Sequence, residues 1–334
     1  MEEGVFGNST PVVPFDLLLD MPTAKIFLFI NQAVLSTMLC SLELVSNMVS
    51  IMVFIKQGLR SSVNISFMLL SLVDFIKCFF YLWMNISVLN LVFSLYHVFP
   101  VFDAYYLISA WPIGLTERIT MFITAFVTIE RYLSVAAPLH VKKLITYKKT
   151  TAVLIVIVIS NVFVLIPIYI STSLGWRFYP QHNRTLYGVF FKSNKQEMED
   201  LTFAFHALLE LFSLCLIILF NFLLIVQLKR QSNWRLSKSS DVTLKKNVLV
   251  NRDAKAKKMI ITIATLTSVC HLPIVAFSMT TDFVREFRIY GAYGPLVDVV
   301  FSFCFLSSNI YSAAKIFIFY TMSSNFRATC QNLF

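Results

Sequence analysis

The chain has 334 residues, 57% of them hydrophobic and only 14% charged, with 33 phenylalanines against 8 glycines. A soluble domain averages about 25% charged residues, so this balance points to a membrane as the solvent. The net charge of +10 is accounted for below by topology and attraction to anionic lipid, which leaves no reason to invoke nucleic acid as a partner.

About 20 apolar residues cross the hydrocarbon core as a helix. Seven segments qualify: 26–55, 62–84, 106–135, 150–174, 200–228, 256–281 and 293–320. Continuous runs such as Val153 to Ile159 differ from the short alternating strands of membrane barrels. The fold class is therefore an all-α membrane protein, a seven-transmembrane helix bundle with a short amphipathic helix 8. Residues 1–25 form an N-terminal tail, 26–320 the seven-helix domain, and 321–334 helix 8 and the C-terminus. Segment 1 follows Glu2, Glu3, Pro11, Pro14 and Pro22 and lacks a small-x-small cleavage site, so it reads as a true first helix and not a signal peptide.

Lysine and arginine set the orientation. The connections after segments 1, 3 and 5, with the tail, carry 17 basic residues, and the opposite side carries 7. The N-terminus is expected outside and the C-terminus in the cytoplasm, across the plasma membrane. Two N-glycosylation sequons, at Asn8 and Asn183, fall on the expected outside. Asn64 and Asn85 also begin sequons, but inside segment 2 or at its end, where they are accidental.

Ionisable and polar residues within a membrane are costly, and each is a functional candidate. In chain order, segment 1 carries Asn47 and segment 2 carries Asp74, with Lys77 one turn on. In segment 3, Ile113, Glu117, Thr120, Thr124 and Arg131 recur at spacings of 4, 3, 4 and 7 and share one face. Glu117 is placed to bind a cation or to pair with Arg118 or His206, whereas Arg118, about 100° round the helix, can face segment 4 or 5. Segment 3 ends on Glu130-Arg131-Tyr132, followed by Pro138-Leu139. The connection from Gly175 to Asp200 mixes aromatics and charges as a lid would. Segment 5 adds His206 and Glu210, and the basic stretch Lys229 to Arg235 after it reads as mobile. Asp253 stands on the expected first turn of segment 6, which continues with Cys270-His271-Leu272-Pro273 and Phe277. Segment 7 brings Asp298, Ser302, Phe305 and Lys315. Ser323 and Ser324 can cap helix 8, where Cys330 is a palmitoylation candidate. The other five cysteines read as small buried hydrophobes.

This order of residues resembles the rhodopsin-like (class A) G-protein-coupled receptors over nearly the whole chain. The stretches Phe54 to Leu59, Trp111-Pro112, Ala125 to Arg131 and Tyr320 to Ser324 look like molluscan chemosensory receptors, relatives of invertebrate neuropeptide receptors. The resemblance implies that an extracellular small molecule or peptide activates a heterotrimeric G protein. Arg131 would pair at rest with Glu130 and with Asp253 at the base of helix 6. Activation would swing helix 6 outward about the bend at Pro273, with Tyr132 and His271 completing the switch. Asn47, Asp74, Thr120 and Lys315 would form a core polar network. Ile113, Glu117, His206, Glu210, Phe277, Asp298, Ser302 and Phe305 would offer ligand contacts, each equally open to a packing role.

Three features depart from that pattern. No cysteine lies between Cys78 and Cys215, so the disulfide that ties helix 3 to the second outer loop is missing. His271 replaces the tryptophan before the helix 6 proline. Lys315 replaces the asparagine of the helix 7 motif, where with Asp74 that asparagine helps hold a sodium ion. Lys315 is accordingly expected to pair with Asp74, with Lys77 as a competing partner, in a receptor indifferent to sodium. A retinal cofactor is not expected, since the opsin lysine lies further out, where this chain has Asn309. No metal motif, nucleophile–base pair or phosphate loop suggests an enzyme. A seven-helix channel with its N-terminus inside would have the opposite charge bias.

Overall fold

Short polar signals start and stop the helices. The computed structural model describes residues 19–93, 106–138, 141, 145–179, 183–238, 244–287 and 292–333. Helix α1 (Met21–Gln57) opens where Asp20 accepts a hydrogen bond from the Thr23 amide at 3.3 Å, and those bonds hold its carboxyl below the usual carboxylate range. It closes at Gly58, whose φ of 89° suits a residue without Cβ. Then come α2 (Ser62–Phe93), α3 (Trp111–Ala136), α4 (Tyr147–Ile170), α5 (Lys195–Lys238), α6 (Leu244–Phe283) and α7 (Gly294–Met322). Each of these seven contains a stretch long and apolar enough to span a bilayer, and the protein is a multi-pass membrane protein. The bundle ends with α8 (Ser324–Gln331), capped by Ser323, which accepts from the Phe326 amide at 3.2 Å.

Three expectations are corrected. Helices α5 and α6 outrun their apolar stretches, because lysine, arginine and leucine sustain a helix in water as well as in lipid. The stretch from Lys229 to Arg235, expected to be mobile, is therefore part of α5. Asp253 lies about two and a half turns past the start of α6 and not on its first turn. Segment 4, expected to reach residue 174, ends at Ile170, and strand β1 (Thr172–Tyr179) follows it. With β2 (Arg184–Phe191) it forms an antiparallel hairpin in which Trp176 faces Tyr187 and Gly175 faces Gly188. Aromatic and β-branched residues on both arms favour that pairing. The six cysteines are all free, so the hairpin is held by its backbone hydrogen bonds and by Val189, packed with Leu107, Trp111 and Ile168, and not by a disulfide.

Within α1 the stretch Phe29–Ser36 is π-helical. The i→i+5 winding admits an extra residue per turn, and Asn31, Gln32 and Ser36 are all buried there. Entry to α3 uses a second π turn, Tyr106–Ala110.

Two large apolar layers lie in the bundle, with smaller clusters around Trp111 and Ile168 and around Ala24 and Val299. At the α8 end, Val53, Phe67, Ile123, Val127, Leu154, Ile260 and Ile263 pack together. Phe319 stands with Phe54, Phe67 and Phe326 at centroid distances of 5.2, 5.1 and 5.4 Å, which docks α8 onto α1, α2 and α7. Nearer the hairpin, Tyr81, Met84, Ile113, Met121, Leu214, Ala264 and Phe305 form the second layer. Val156, Phe163 and Phe222 point outward with 63% exposure each, as befits side chains solvated by lipid.

Candidate functional site

A charged core occupies the centre of the bundle. Helix geometry aligns residues at i, i+3 and i+7, so Asp74, Lys77 and Tyr81 share one face of α2. Glu117, Thr120 and Thr124 do the same on α3. Ser308, Tyr311, Ser312 and Lys315 come from α7, Thr267 and His271 from α6, and Glu43 and Asn47 from α1. All are buried.

Glu117 is the hub. Its Oε1 accepts from the Tyr81 hydroxyl at 3.1 Å and from Ser308, and faces Lys77 Nζ at 3.2 Å. Its Oε2 meets His271 Nε2 at 2.9 Å, while His271 Nδ1 meets the Thr267 carbonyl oxygen at 2.9 Å. Asp74 accepts from Thr120 at 3.0 Å, lies 3.7 Å from Lys77 Nζ and forms an ion pair with Lys315. Lys77 also donates to Ser308 at 3.3 Å. Asn47 reaches Ser312 at 3.5 Å. Burial of a lone charge costs several kcal/mol, and partners of opposite sign offset that cost. The two lysines thus face the two carboxylates, Lys315 on Asp74 and Lys77 mainly on Glu117.

Adjacent residues on a helix point about 100° apart, so Arg118 faces away from this hub. It donates from Nε to Asn161 Oδ1 at 2.7 Å and from Nη2 to the Asn161 carbonyl at 3.1 Å. Nη1 lies 2.6 Å from His206 Nδ1. Arginine has no acceptor, so Nδ1 accepts and the proton of His206 sits on Nε2, which faces Glu210 Oε1 at 3.3 Å. Gly114 makes room for that imidazole: a Cβ there would meet His206 Cε1 at 3.1 Å.

The remaining sequence candidates divide among three settings. Ile113, Phe277 and Phe305 belong to an aromatic and aliphatic layer, in which Phe277 meets Phe301 at 4.9 Å and Phe305 meets Tyr81 at 5.8 Å. Ser302 is engaged by Asn31 at 3.0 Å, a contact between α1 and α7. Asp298 is half-buried one turn earlier on α7. Asn309 donates to Ser36 at 2.9 Å.

At the α8 end, Arg131 Nη2 lies 3.3 Å from Glu130 Oε1, and Glu130 also accepts from Ser62 of α2. Tyr132 packs edge-on against Phe220 at 5.6 Å. Pro273 sits inside α6. The Asp253 side chain and the whole of Asn8 lie outside the described residues. Asn183 is exposed at the hairpin turn with φ 47°. Asn85 is buried and donates to Ser36 and Thr37 at 3.3 and 3.1 Å, and Asn64 donates to the Gly58 carbonyl at 3.1 Å.

Sequence reasoning passed over Glu43 and Asn161. Glu43 is fully buried and accepts from the Cys78 thiol at 3.4 Å. Its signal was present, an acid one turn before Asn47 in an otherwise apolar run.

Residues 34–334 match the family described as serpentine type 7TM GPCR chemoreceptor Srw. The chain belongs to this family. Its members are described as receptors and not as enzymes, and the seven apolar helices agree with that description. No curated protein matches the chain at a significant level.

Proposed function

We propose that this receptor binds an external chemical, a small molecule in the first instance, and activates a heterotrimeric G protein when α6 swings outward. The observation that carries this reading is Arg131, held by Glu130 at the α8 end of a chemoreceptor-family bundle. Beside it the apolar layer between α3 and α6, with Val127 against Ile260 and Ile263, closes the space that a G-protein helix would enter. Pro273 breaks the backbone hydrogen-bond ladder of α6 and gives that helix a place to bend.

The basic excess on the α8 side orients the chain with that end in the cytoplasm of the plasma membrane and the hairpin outside. Asp253 completes the resting contact of Arg131, and the ligand enters from the hairpin side toward Glu117, His206 and Glu210.

The test is recruitment of engineered Gα subunits to the wild type and to Arg131→Ala in cells, with and without odorant and peptide extracts. A response present in the wild type and lost in Arg131→Ala at equal surface expression supports coupling. A response that survives the substitution assigns signalling to something other than this switch. Activity confined to the peptide extract would move the ligand class to neuropeptides.

A further inference from the structure

The hydrogen bonds of His271 determine where its protons are. A carbonyl oxygen only accepts, so His271 Nδ1, 2.9 Å from the Thr267 carbonyl, carries a hydrogen. Nε2 lies 2.9 Å from Glu117 Oε2. The other oxygen of that carboxylate already takes the Tyr81 and Ser308 hydroxyls and faces the Lys77 ammonium. Three donors on one oxygen fit an ionised carboxylate, which leaves Oε2 as an acceptor too. Nε2 therefore also carries a hydrogen, and the ring is an imidazolium.

The surroundings balance that charge. From α1 comes Glu43, from α2 Asp74, Lys77 and the Tyr81 hydroxyl, from α3 Glu117, and from α7 Tyr311 and Lys315, all buried. From α5, Glu210 and His206 face Arg118 on the opposite side of α3. With Glu43, Asp74 and Glu117 ionised, they stand against Lys77, Lys315 and His271, and the charges balance when His271 is charged. Without that charge one carboxylate would be buried in excess.

We propose that His271 is a latch, a positioning residue whose imidazolium holds α6 against Glu117 of α3 in the resting receptor, so that α6 is released when this bond breaks. The inference rests on the reading of α6 as the moving element. Location supports it: His271 is two residues before Pro273, where α6 already lacks one backbone hydrogen bond. The Tyr311 ring of α7 meets the imidazole edge-on at 5.3 Å and limits its rotation. A charge-assisted hydrogen bond between two helices is stronger than a neutral one, and here it joins α6 to α3.

The test uses full-length receptor with spin labels at Lys148→Cys and Lys258→Cys, two exposed positions on α4 and α6. The background carries Cys215→Ser and Cys330→Ser, which removes the thiols that are not buried. His271→Phe is expected to add a longer component to the label distance and to raise ligand-free Gα recruitment about tenfold, as a loss of about 1.4 kcal/mol would. His271→Gln, which keeps a neutral donor, should fall between the two. An unchanged distance in His271→Phe overturns the latch, and wild-type behaviour in His271→Gln overturns its ionic character. A longer distance without Gα recruitment keeps the latch and refutes coupling. If His271→Phe does not reach the surface, Glu117→Gln is read against the same two outcomes.

Discussion

Removal of the Lys315 ammonium should expose how much of the bundle depends on its internal ion pairs. In Lys315→Met, Asp74 keeps the Thr120 hydroxyl at 3.0 Å and Lys77 at 3.7 Å. Lys77 is already committed to Glu117 at 3.2 Å, so it replaces Lys315 only in part. Loss of one partner from a buried pair costs about 3–5 kcal/mol, and the partial substitute places Lys315→Met near about 3 kcal/mol. Asp74→Asn strands the ammonium instead and should cost about the same. The double variant Asp74→Asn/Lys315→Met buries no lone charge, so its cost should fall at least about 2 kcal/mol below the sum of the singles. Equilibrium unfolding in mixed micelles, followed by tryptophan fluorescence, measures all four proteins. Single costs that simply add in the double variant would refute the pair. The same experiment tests the cation site: sodium chloride and choline chloride at equal ionic strength should leave the wild type equally stable, because the lysine already occupies the place opposite Asp74. A sodium-dependent gain in the wild type would sink that reasoning.

Two further outcomes are expected. Phe326→Ala should detach α8 from its aromatic seat, since truncation of a buried phenylalanine costs about 3–5 kcal/mol. Amide exchange of residues 324–331 would then rise strongly while that of α3 stayed unchanged, and equal protection in both proteins would refute the docking role. Asn183→Gln should remove one glycan from the receptor expressed in eukaryotic cells, seen as a mobility shift on glycosidase treatment. Asn85→Gln should remove none, because Asn85 is buried against Ser36 and Thr37, and a shift with Asn85→Gln would place that helix differently.

Seven spans were legible because hydropathy over about 20 residues is a direct record of solvent. Their water-side ends were not, since Lys229 to Arg235 and the start of α6 are polar in any conformation and only helix propensity distinguishes them from loop. The hairpin was missed for a related reason. Thr172 to Leu174 reads as the tail of segment 4, and the strand character of Thr172 to Tyr179 depends on partners five to nineteen residues away. Intramembrane charges could be found individually from their cost in lipid. Their pairing could be read only in part: the Lys315–Asp74 contact is among the expectations, whereas Lys77, one turn from Asp74 in sequence, lies closer to Glu117 of another helix. Glu43 was passed over because no charged neighbour in its own segment drew attention to it, and its thiol partner looked like an ordinary buried cysteine.

The hairpin has a consequence for how the receptor is made. Its arms are joined residue by residue from Thr172–Phe191 to Tyr179–Arg184, and every thiol in the chain is free. Maturation of this lid therefore requires no oxidoreductase and no oxidising lumen. Cell-free synthesis into nanodiscs under strong reductant should yield a lid as complete as that assembled in a secretory pathway, and chemical reduction, which disarms receptors with a covalently tethered outer loop, should leave this one intact.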